Sequence, residues 1–97
     1  MKAYSVEISP RALRDLKRVK REVFDASQNE LVTAEYLRRI ADAIDALSLM
    51  PERYPFWRDS SSYRFLVAEK YLAFFKIEGG IVKVAHVRYA GRRPFAG

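Results

Sequence analysis

The sequence predicts an α+β fold of one domain, residues 1–97, with a small antiparallel-rich sheet packed on a helical hairpin in the order β-α-α-β-β-β. Residues 63–89 contain three apolar segments of strand length separated by two short turns. Two amphipathic segments with helical spacing precede them, and a short alternating segment comes before the helices. Because the helices and the sheet each have an apolar face to bury, we expect the hairpin to cover one face of the sheet.

The first strand and the first helix are indicated by local patterns. Residues 4–8 alternate between apolar and polar side chains, as a half-buried strand does. Ser9 and Pro10 then predict a helix start, with a serine N-cap and a proline at the first helical position. The apolar stripe that follows has helical spacing and consists of Leu13, Leu16, Val19 and Val23. The polar residues 25–30 predict the turn that ends this helix.

A second amphipathic helix completes the hairpin. Thr33 is the predicted N-cap, and Glu35 is favourably placed for the helix dipole. Its apolar stripe consists of Leu37, Ile40, Ala41, Ile44 and Leu47. Met50 and Pro51 predict the end of the helix, because a residue before proline is disfavoured in helical conformation. In the loop that follows, residues 52–62, we expect Phe56 and Trp57 to pack against the sheet.

Three strands with predicted turns at residues 68–70 and 78–80 make up the last third of the chain. Gly79 and Gly80 can adopt the positive φ that a tight hairpin needs. In the middle strand one face carries Tyr71, Ala73, Phe75 and Ile77, and the other carries Leu72, Phe74 and Lys76. Since both faces carry apolar bulk, this strand is predicted to be central.

Composition excludes several classes of protein. Apolar residues make up 49% of the 97 residues, which favours a packed core over disorder. The absence of cysteine excludes a disulfide scaffold, and a single histidine excludes a multi-histidine metal site. No apolar run has the length of a membrane span or a signal peptide. We therefore expect a soluble cytoplasmic protein that has no metal, cofactor or membrane partner.

The positive charge is concentrated in the second half of the chain. Residues 1–50 carry nine lysines and arginines against eight acidic residues, whereas residues 51–97 carry nine against four. This asymmetry favours an anionic partner, either nucleic acid or an acidic protein segment. The simpler interpretation is that the surface is basic without a dedicated partner.

Candidate functional residues lie on the predicted strands. If Tyr63 and Phe65 face the helices, Arg64 lies on the opposite, open face. His86 and Arg88 share a face of the last strand unless a bulge intervenes, and Tyr89 points the other way or sits where the strand ends. The residues that could flank the same surface in target or RNA binding are Arg53, Arg58, Lys70, Arg92 and Arg93.

These residue types suit metal-free cleavage of RNA. Two arginines can hold one phosphate and stabilise charge that develops on it. His86 or Tyr89 could move the protons needed for attack by a ribose hydroxyl. The alternatives remain open at this point, since a lone strand histidine is usually a packing residue. Arg64 and Arg88 could equally form ion pairs or dock an acidic peptide.

Several segments in order resemble one family. They are Ser9-Pro10-Arg11-Ala12 to Leu16, the Leu-x-x-Met-Pro pattern from Leu47 to Pro51, residues 63–67, residues 70–75 and the ending Gly91-Arg92-Arg93. In order and spacing these segments resemble the RelE/ParE superfamily, the toxins of bacterial type II toxin–antitoxin modules. The resemblance covers nearly the whole chain, and the family fold has the same element order.

The resemblance implies a toxin that arrests growth when free of its antitoxin. The expected partner is a cognate antitoxin with an acidic or amphipathic segment, and operator DNA would be bound only through the antitoxin complex. RelE-like members cut messenger RNA on the ribosome without a metal. ParE-like members bind DNA gyrase and trap its cleavage complex, which is not catalysis by the toxin.

Comparison with the two branches favours the ParE-like one. Arg64 and Arg88 resemble arginines of the ribonuclease branch, so the catalytic set in that case would be Arg64, Arg88, Tyr89 and His86. However, Ala90-Gly91 stands where some ribonuclease members carry a His-Tyr pair. The ending Gly91-Arg92-Arg93 resembles the ParE-like branch. Gyrase inhibition is therefore the leading prediction, and a ribosome-dependent endoribonuclease or a non-toxic small basic RNA-binding domain are the alternatives.

Overall fold

The computed structural model describes residues 3–58 and 62–91, and it confirms the predicted α+β fold. The elements in chain order are β1 (Ser5–Ile8), α1 (Pro10–Ser27), α2 (Glu30–Asp45), β2 (Arg64–Ala68), β3 (Tyr71–Glu78) and β4 (Ile81–Tyr89). Two single turns of 3₁₀ helix, Ala46–Ser48 and Pro51–Arg53, lie between α2 and β2. Arg92 and Arg93, two of the predicted binding residues, lie outside the described residues.

The four strands form one mixed sheet in the order β1-β4-β3-β2. β1 runs parallel to β4, while β4 with β3 and β3 with β2 form antiparallel pairs. The middle strand of the last third, β3, is central, as its two apolar faces predicted. The turn between β2 and β3 is formed by Glu69 and Lys70, and Glu69 has a left-handed φ of 56°.

Ser9 caps α1 as predicted. Its hydroxyl oxygen accepts a hydrogen bond from the backbone N–H of Ala12 at 3.0 Å, and Pro10 occupies the first helical position. The helix ends at Ser27, where Gln28 adopts a left-handed φ of 53° and its N–H donates to the carbonyl of Phe24. The connection to α2 is therefore only two residues long.

The prediction that Thr33 is the second N-cap was wrong. α2 begins at Glu30, and the Asn29 side chain accepts a hydrogen bond from the N–H of Val32 at 3.0 Å. Thr33 lies one turn into the helix, is buried, and donates its hydroxyl to the Asn29 carbonyl at 2.8 Å. The regular helix also ends earlier than predicted, at Asp45, and Met50 before Pro51 takes a left-handed φ of 51°.

The helical hairpin covers one face of the sheet and leaves the other face open. The fully buried helix residues that pack on the sheet include Val19, Ile40 and Ile44, and Leu47 from the first 3₁₀ turn joins them. Sheet residues Ala73, Phe75, Val82, Val84 and Val87 complete this core. Burying each large apolar side chain stabilises the fold by about 1.5–3 kcal/mol. Within residues 3–58 and 62–91, no helix is both long and apolar enough to cross a membrane.

Candidate functional site on the open sheet face

Three aromatic rings lie in a row across the sheet face opposite the helices, and a fourth, that of Trp57, packs against two of them. Phe65 of β2 is directly opposite Phe74 of β3, and Phe74 is directly opposite His86 of β4. Trp57, from the loop before β2, contacts Phe65 and Phe74 edge to face, with ring centres 5.3 and 5.1 Å apart. We call Trp57, Phe65, Phe74 and His86 the aromatic row.

Trp57 reaches this face because its loop pairs with β2. The N–H of Phe65 donates to the Pro55 carbonyl at 3.1 Å, and the N–H of Trp57 donates to the Tyr63 carbonyl at 2.8 Å. These bonds add a short segment to the sheet edge beside β2. The expectation that Phe56 and Trp57 pack against the sheet is confirmed for Trp57, whereas Phe56 remains 42% exposed.

A bulge in β4 sets the orientation of the predicted site residues. Phe74 pairs with His86 but Phe75 pairs with Val84, so Ala85 is an additional residue on β4. After the bulge His86 and Arg88 share one face of the strand, as predicted, and that face is the open one. Tyr89 faces the helices, where the centre of its ring is 5.5 Å from the centre of the Tyr71 ring.

Two arginines lie against the Trp57 ring. The guanidinium carbon of Arg58 is 4.7 Å from the ring centre, and that of Arg88 is 5.3 Å from it. Arg88 also lies 5.4 Å from the centre of the Phe74 ring. Cation–π attraction restrains both side chains, and their exposed N–H groups stay available for carboxylate or phosphate oxygens. The open face therefore presents two oriented cations on an aromatic base.

His86 is a packed residue in this structure. Its imidazole stacks on the Phe74 ring, with centres 4.5 Å apart and planes 19° from parallel. Burial lowers the pKa of His86, the charges of Arg11 and Arg88 lower it further, and Asp15 opposes them. The protonated imidazolium form is therefore disfavoured relative to a free histidine side chain.

Arg64 does not lie on the open face, and this prediction was wrong. Leu66 and Ala68 have the same strand parity as Arg64 and belong to the core, so Arg64 faces the helices while Phe65 faces outward. The Arg64 guanidinium donates to the backbone carbonyl of Tyr54 at 2.6 Å and to that of Glu52 at 2.9 Å. The guanidinium carbon of Arg64 is also 4.0 Å from the centre of the Phe56 ring.

The four residues considered for catalysis are thus divided between two faces. His86 and Arg88 lie on the open face, whereas Arg64 and Tyr89 lie on the helix side. Arg64 and Arg88 consequently cannot bind the oxygens of one phosphate. Arg64 instead stabilises the loop that contains the second 3₁₀ turn.

The remaining predicted basic residues take different positions. Arg58 lies against Trp57 of the aromatic row. Arg53 instead stacks on Tyr54, whose ring packs on the core residue Phe75. Arg53 therefore belongs to the helix side and does not flank the open face as expected. Lys70 is exposed in the turn between β2 and β3. Among the described residues there is no cluster of three or more acidic or histidine side chains arranged to hold a metal ion.

A second surface lies on the outer side of the helical hairpin. A groove between α1 and α2 has an apolar floor that includes Phe24, Ala34 and Leu37. Lys17, Lys20 and Arg21 line the α1 side of this groove. Such a groove matches the two faces of an amphipathic acidic helix.

The aromatic row is the feature that sequence reasoning missed. Alternation placed Phe74 on the strand face opposite Phe75, and Trp57 was expected on the sheet, but their alignment depends on strand register. The available signal was an aromatic pair between Pro55 and Arg58 in a loop long enough to fold back on β2. Register across three strands cannot be read from alternation alone.

Comparison with known proteins identifies relatives of this fold. The fold is shared with a chain of the chromosomal ParDE toxin–antitoxin system from P. aeruginosa, at a TM-score of 0.79 and 13% identity over 92% of this chain and 98% of that chain. It is also shared with a chain of the RelBE2 toxin–antitoxin complex from Mycobacterium tuberculosis, at a TM-score of 0.63 and 21% identity over 94% and 97%. A chain of the archaeal RelE–RelB complex from Pyrococcus horikoshii OT3 gives a TM-score of 0.59 and 16% identity over 94% and 99%.

Sequence similarity provides the assignment that these distant structures do not. No curated protein matches this chain in sequence. The family model for the ParE toxin of the type II toxin–antitoxin system, parDE, matches residues 6–94. That match includes all the described strands except the first residue of β1, together with both helices. The chain therefore belongs to the ParE family, the toxins of type II toxin–antitoxin systems.

Proposed function

We propose that this toxin arrests growth by binding DNA gyrase through its open sheet face, as ParE-like toxins do, and that it does not cut messenger RNA. The observation that supports this choice is the separation of Arg64 and Arg88 onto opposite faces of the sheet. A metal-free ribonuclease of the predicted kind would need both arginines beside one phosphate. This chain uses one of them to hold its own backbone.

The other groups considered for catalysis also favour binding over chemistry. The imidazole of His86 stacks on the Phe74 ring, and its lowered pKa disfavours the protonated form that a general acid would need. Tyr89 packs against Tyr71 on the helix side, away from Arg88. Apart from His86, the aromatic row contains no side chain beside Arg88 that could act as a general acid or base.

The open face has the composition of a protein-binding site. Aromatic residues and arginine are enriched at the centres of interfaces, where they contribute most of the binding energy. Here Arg58 and Arg88 lie against Trp57, and Val67 on the same face of the sheet is 57% exposed. An acidic patch on the target that also offers apolar contacts would complement this surface, and its affinity would fall as salt is raised.

We also propose a cognate antitoxin that covers the toxin with an acidic or amphipathic segment. The structural neighbours come from complexes named ParDE, RelBE2 and RelE–RelB, in which such toxins occur with their antitoxins. The groove between α1 and α2, with its lysine and arginine wall, suits an acidic amphipathic helix. The complex would act in the cytoplasm, and operator DNA would be bound through the antitoxin.

A gyrase cleavage assay with matched variants tests the proposed target. Purified gyrase and plasmid DNA are titrated with the toxin, and the linear DNA released from trapped cleavage complexes is measured. Arg88→Ala should require at least about tenfold more toxin, which corresponds to about 1.4 kcal/mol of lost binding. Arg38→Ala is the matched control, since Arg38 is an exposed arginine on α2 paired with Glu35 and Asp42.

Transcript ends mapped in cells that express the toxin test the competing activity. The proposal predicts no codon-positioned cuts during growth arrest. Intact supercoiling at excess toxin would contradict gyrase as the target. Codon-positioned cuts made by the wild type that disappear in the folded Arg88→Ala variant would instead assign the toxin to the ribonuclease branch.

A further inference from the structure

β4 extends well beyond its parallel partner. β1 pairs only with residues 81–84 of β4, because the chain leaves β1 at Ile8 and enters α1. Residues 85–89 of β4 have no further strand on that side within the part of the chain that the structure describes. Backbone N–H and C=O groups along such an edge need other partners, or they stay open to water and to strand addition.

Side chains of α1 occupy this edge. The Ser9 hydroxyl donates to the Ala85 carbonyl at 2.8 Å. The N–H of Val87 donates to the Asp15 carboxylate at 2.9 Å, and the Arg18 guanidinium donates to the Val87 carbonyl at 3.2 Å. Asp15 and Arg18 also pair with each other at 2.9 Å. We call Ser9, Asp15 and Arg18 the α1 clamp.

The clamp does not resemble an incidental surface ion pair. Asp15 is only 7% exposed, whereas the side chain of Glu22 on the same helix is 30% exposed. Together Asp15 and Arg18 satisfy both backbone polar groups of a single residue, Val87. A carboxylate and a guanidinium side by side reproduce the acceptor and donor that a neighbouring strand would have supplied.

Val87 is the residue between His86 and Arg88, and the bulge at Ala85 comes just before it. A bulge locally disrupts the strand ladder, and a slip of one residue would turn Arg88 away from the open face. Fixing the N–H and C=O of Val87 sets the direction of the side chains before and after it. The clamp is therefore placed where it can control whether Arg88 reaches the Trp57 ring.

We propose that Asp15 and Arg18 are positioning residues of the open-face site, which act through the Val87 backbone to hold Arg88 on the Trp57 ring. The inference rests on the proposed function only in treating the open face as the target-binding surface. The geometric part concerns β4 alone and can be tested without any target.

Nuclear magnetic resonance of the whole toxin tests the geometric part. Arg88 lies over Trp57 and Phe74, so ring currents should shift its δ-proton resonances upfield. Asp15→Ala should remove at least half of that upfield shift and accelerate amide exchange at Val87 at least tenfold. Asp15→Asn keeps an acceptor for the Val87 N–H and should retain most of both effects. Asp42→Ala, on the exposed side of α2, is the control and should change neither.

A folded Asp15→Ala protein with the wild-type Arg88 shift would overturn the proposal, because a purely stabilising residue would leave Arg88 in place. If Asp15→Ala does not fold, Arg18→Ala decides the question. The Arg18 side chain is 41% exposed, so its truncation leaves the core intact. The same loss of the Arg88 shift is expected, and an unchanged shift would again contradict the clamp.

Target binding is measured separately in a double-mutant cycle. Asp15→Ala should weaken gyrase binding about tenfold in the wild-type background and have no further effect in the Arg88→Ala background. Independent losses in the two backgrounds would show that Asp15 does not act through Arg88. If gyrase does not bind the wild-type toxin at all, the proposed function fails, while the proton shifts still decide the positioning role.

Discussion

Replacing Arg64 with alanine should destabilise the protein substantially, because the guanidinium holds the loop between α2 and β2. The wild-type side chain donates to the carbonyls of Tyr54 and Glu52 and lies against the Phe56 ring. Alanine removes these contacts and leaves the Tyr54 carbonyl, in a partly buried setting, without this donor. A residue held ready for catalysis would instead be dispensable for folding.

The expected loss can be worked from these contacts. Hydrogen bonds from a charged donor contribute about 1.5–3 kcal/mol each, and we take the low end for the partly buried bond to Tyr54 and less for the exposed one to Glu52. With a cation–π contact of about 0.5 kcal/mol, the total loss in the free energy of unfolding is about 2.5 kcal/mol. For a domain of this size such a loss lowers Tm by about 10–20 °C.

Thermal unfolding followed by circular dichroism checks this value. Arg64→Lys keeps the charge and can reach one carbonyl, so it should recover about half of the stability. Arg88→Ala removes the cation–π contacts of an exposed side chain and should cost less than about 1 kcal/mol. If Arg64→Ala unfolds at the wild-type temperature while Arg88→Ala does not, the assignment of Arg64 to a structural role is refuted.

The fold makes three further predictions about stability. Because the pKa of His86 is lowered in the folded state, its contribution to stability is present above the usual imidazole pKa of about 6.5 and is lost as pH falls through the lower folded value. The Tm of the wild type should therefore drop more between pH 7.5 and 5 than the Tm of His86→Gln. Equal drops would exclude His86 as the cause. Asn29→Ala should cost about 1 kcal/mol in urea unfolding, whereas no loss would mean that the helix does not depend on this cap. Glu69→Gly should raise the free energy of unfolding by about 0.5–1 kcal/mol, because glycine tolerates the left-handed φ of this turn residue. A lower free energy of unfolding, measured by chemical denaturation, would show that the ion pair between Glu69 and Arg39 matters more.

The sequence predicted the fold well because its strongest signals are local. Ser9-Pro10 starts α1 where a serine cap and a proline predict it, and alternation in residues 71–77 assigned the two faces of the central strand correctly. Where two local signals competed, the prediction failed. Asn29 and Thr33 are both good N-cap residues, and the tight two-residue connection formed by Gln28 and Asn29 decided in favour of Asn29.

The site was harder to predict because it depends on contacts between distant segments. β2 has two alternating sets of side chains, Arg64 with Leu66 and Phe65 with Val67. Arg64 faces the helices because its set is the one that packs under them. Both sets contain apolar residues, so alternation could not choose between them. The bulge at Ala85 and the return of Trp57 to the sheet edge are likewise tertiary features. His86 and Arg88 were placed together correctly because they lie two positions apart on one strand, with only Val87 between them.

The measurement that tests the account most directly is gyrase poisoning by a variant that lacks both arginines of the open face. Arg58→Ala combined with Arg88→Ala should unfold within a few degrees of the wild-type temperature, because both side chains are exposed. We predict that this folded variant fails to trap gyrase cleavage complexes and no longer arrests growth, while Arg38→Ala behaves like wild type. Undiminished trapping by the folded double variant would contradict the assignment of target binding to the open face.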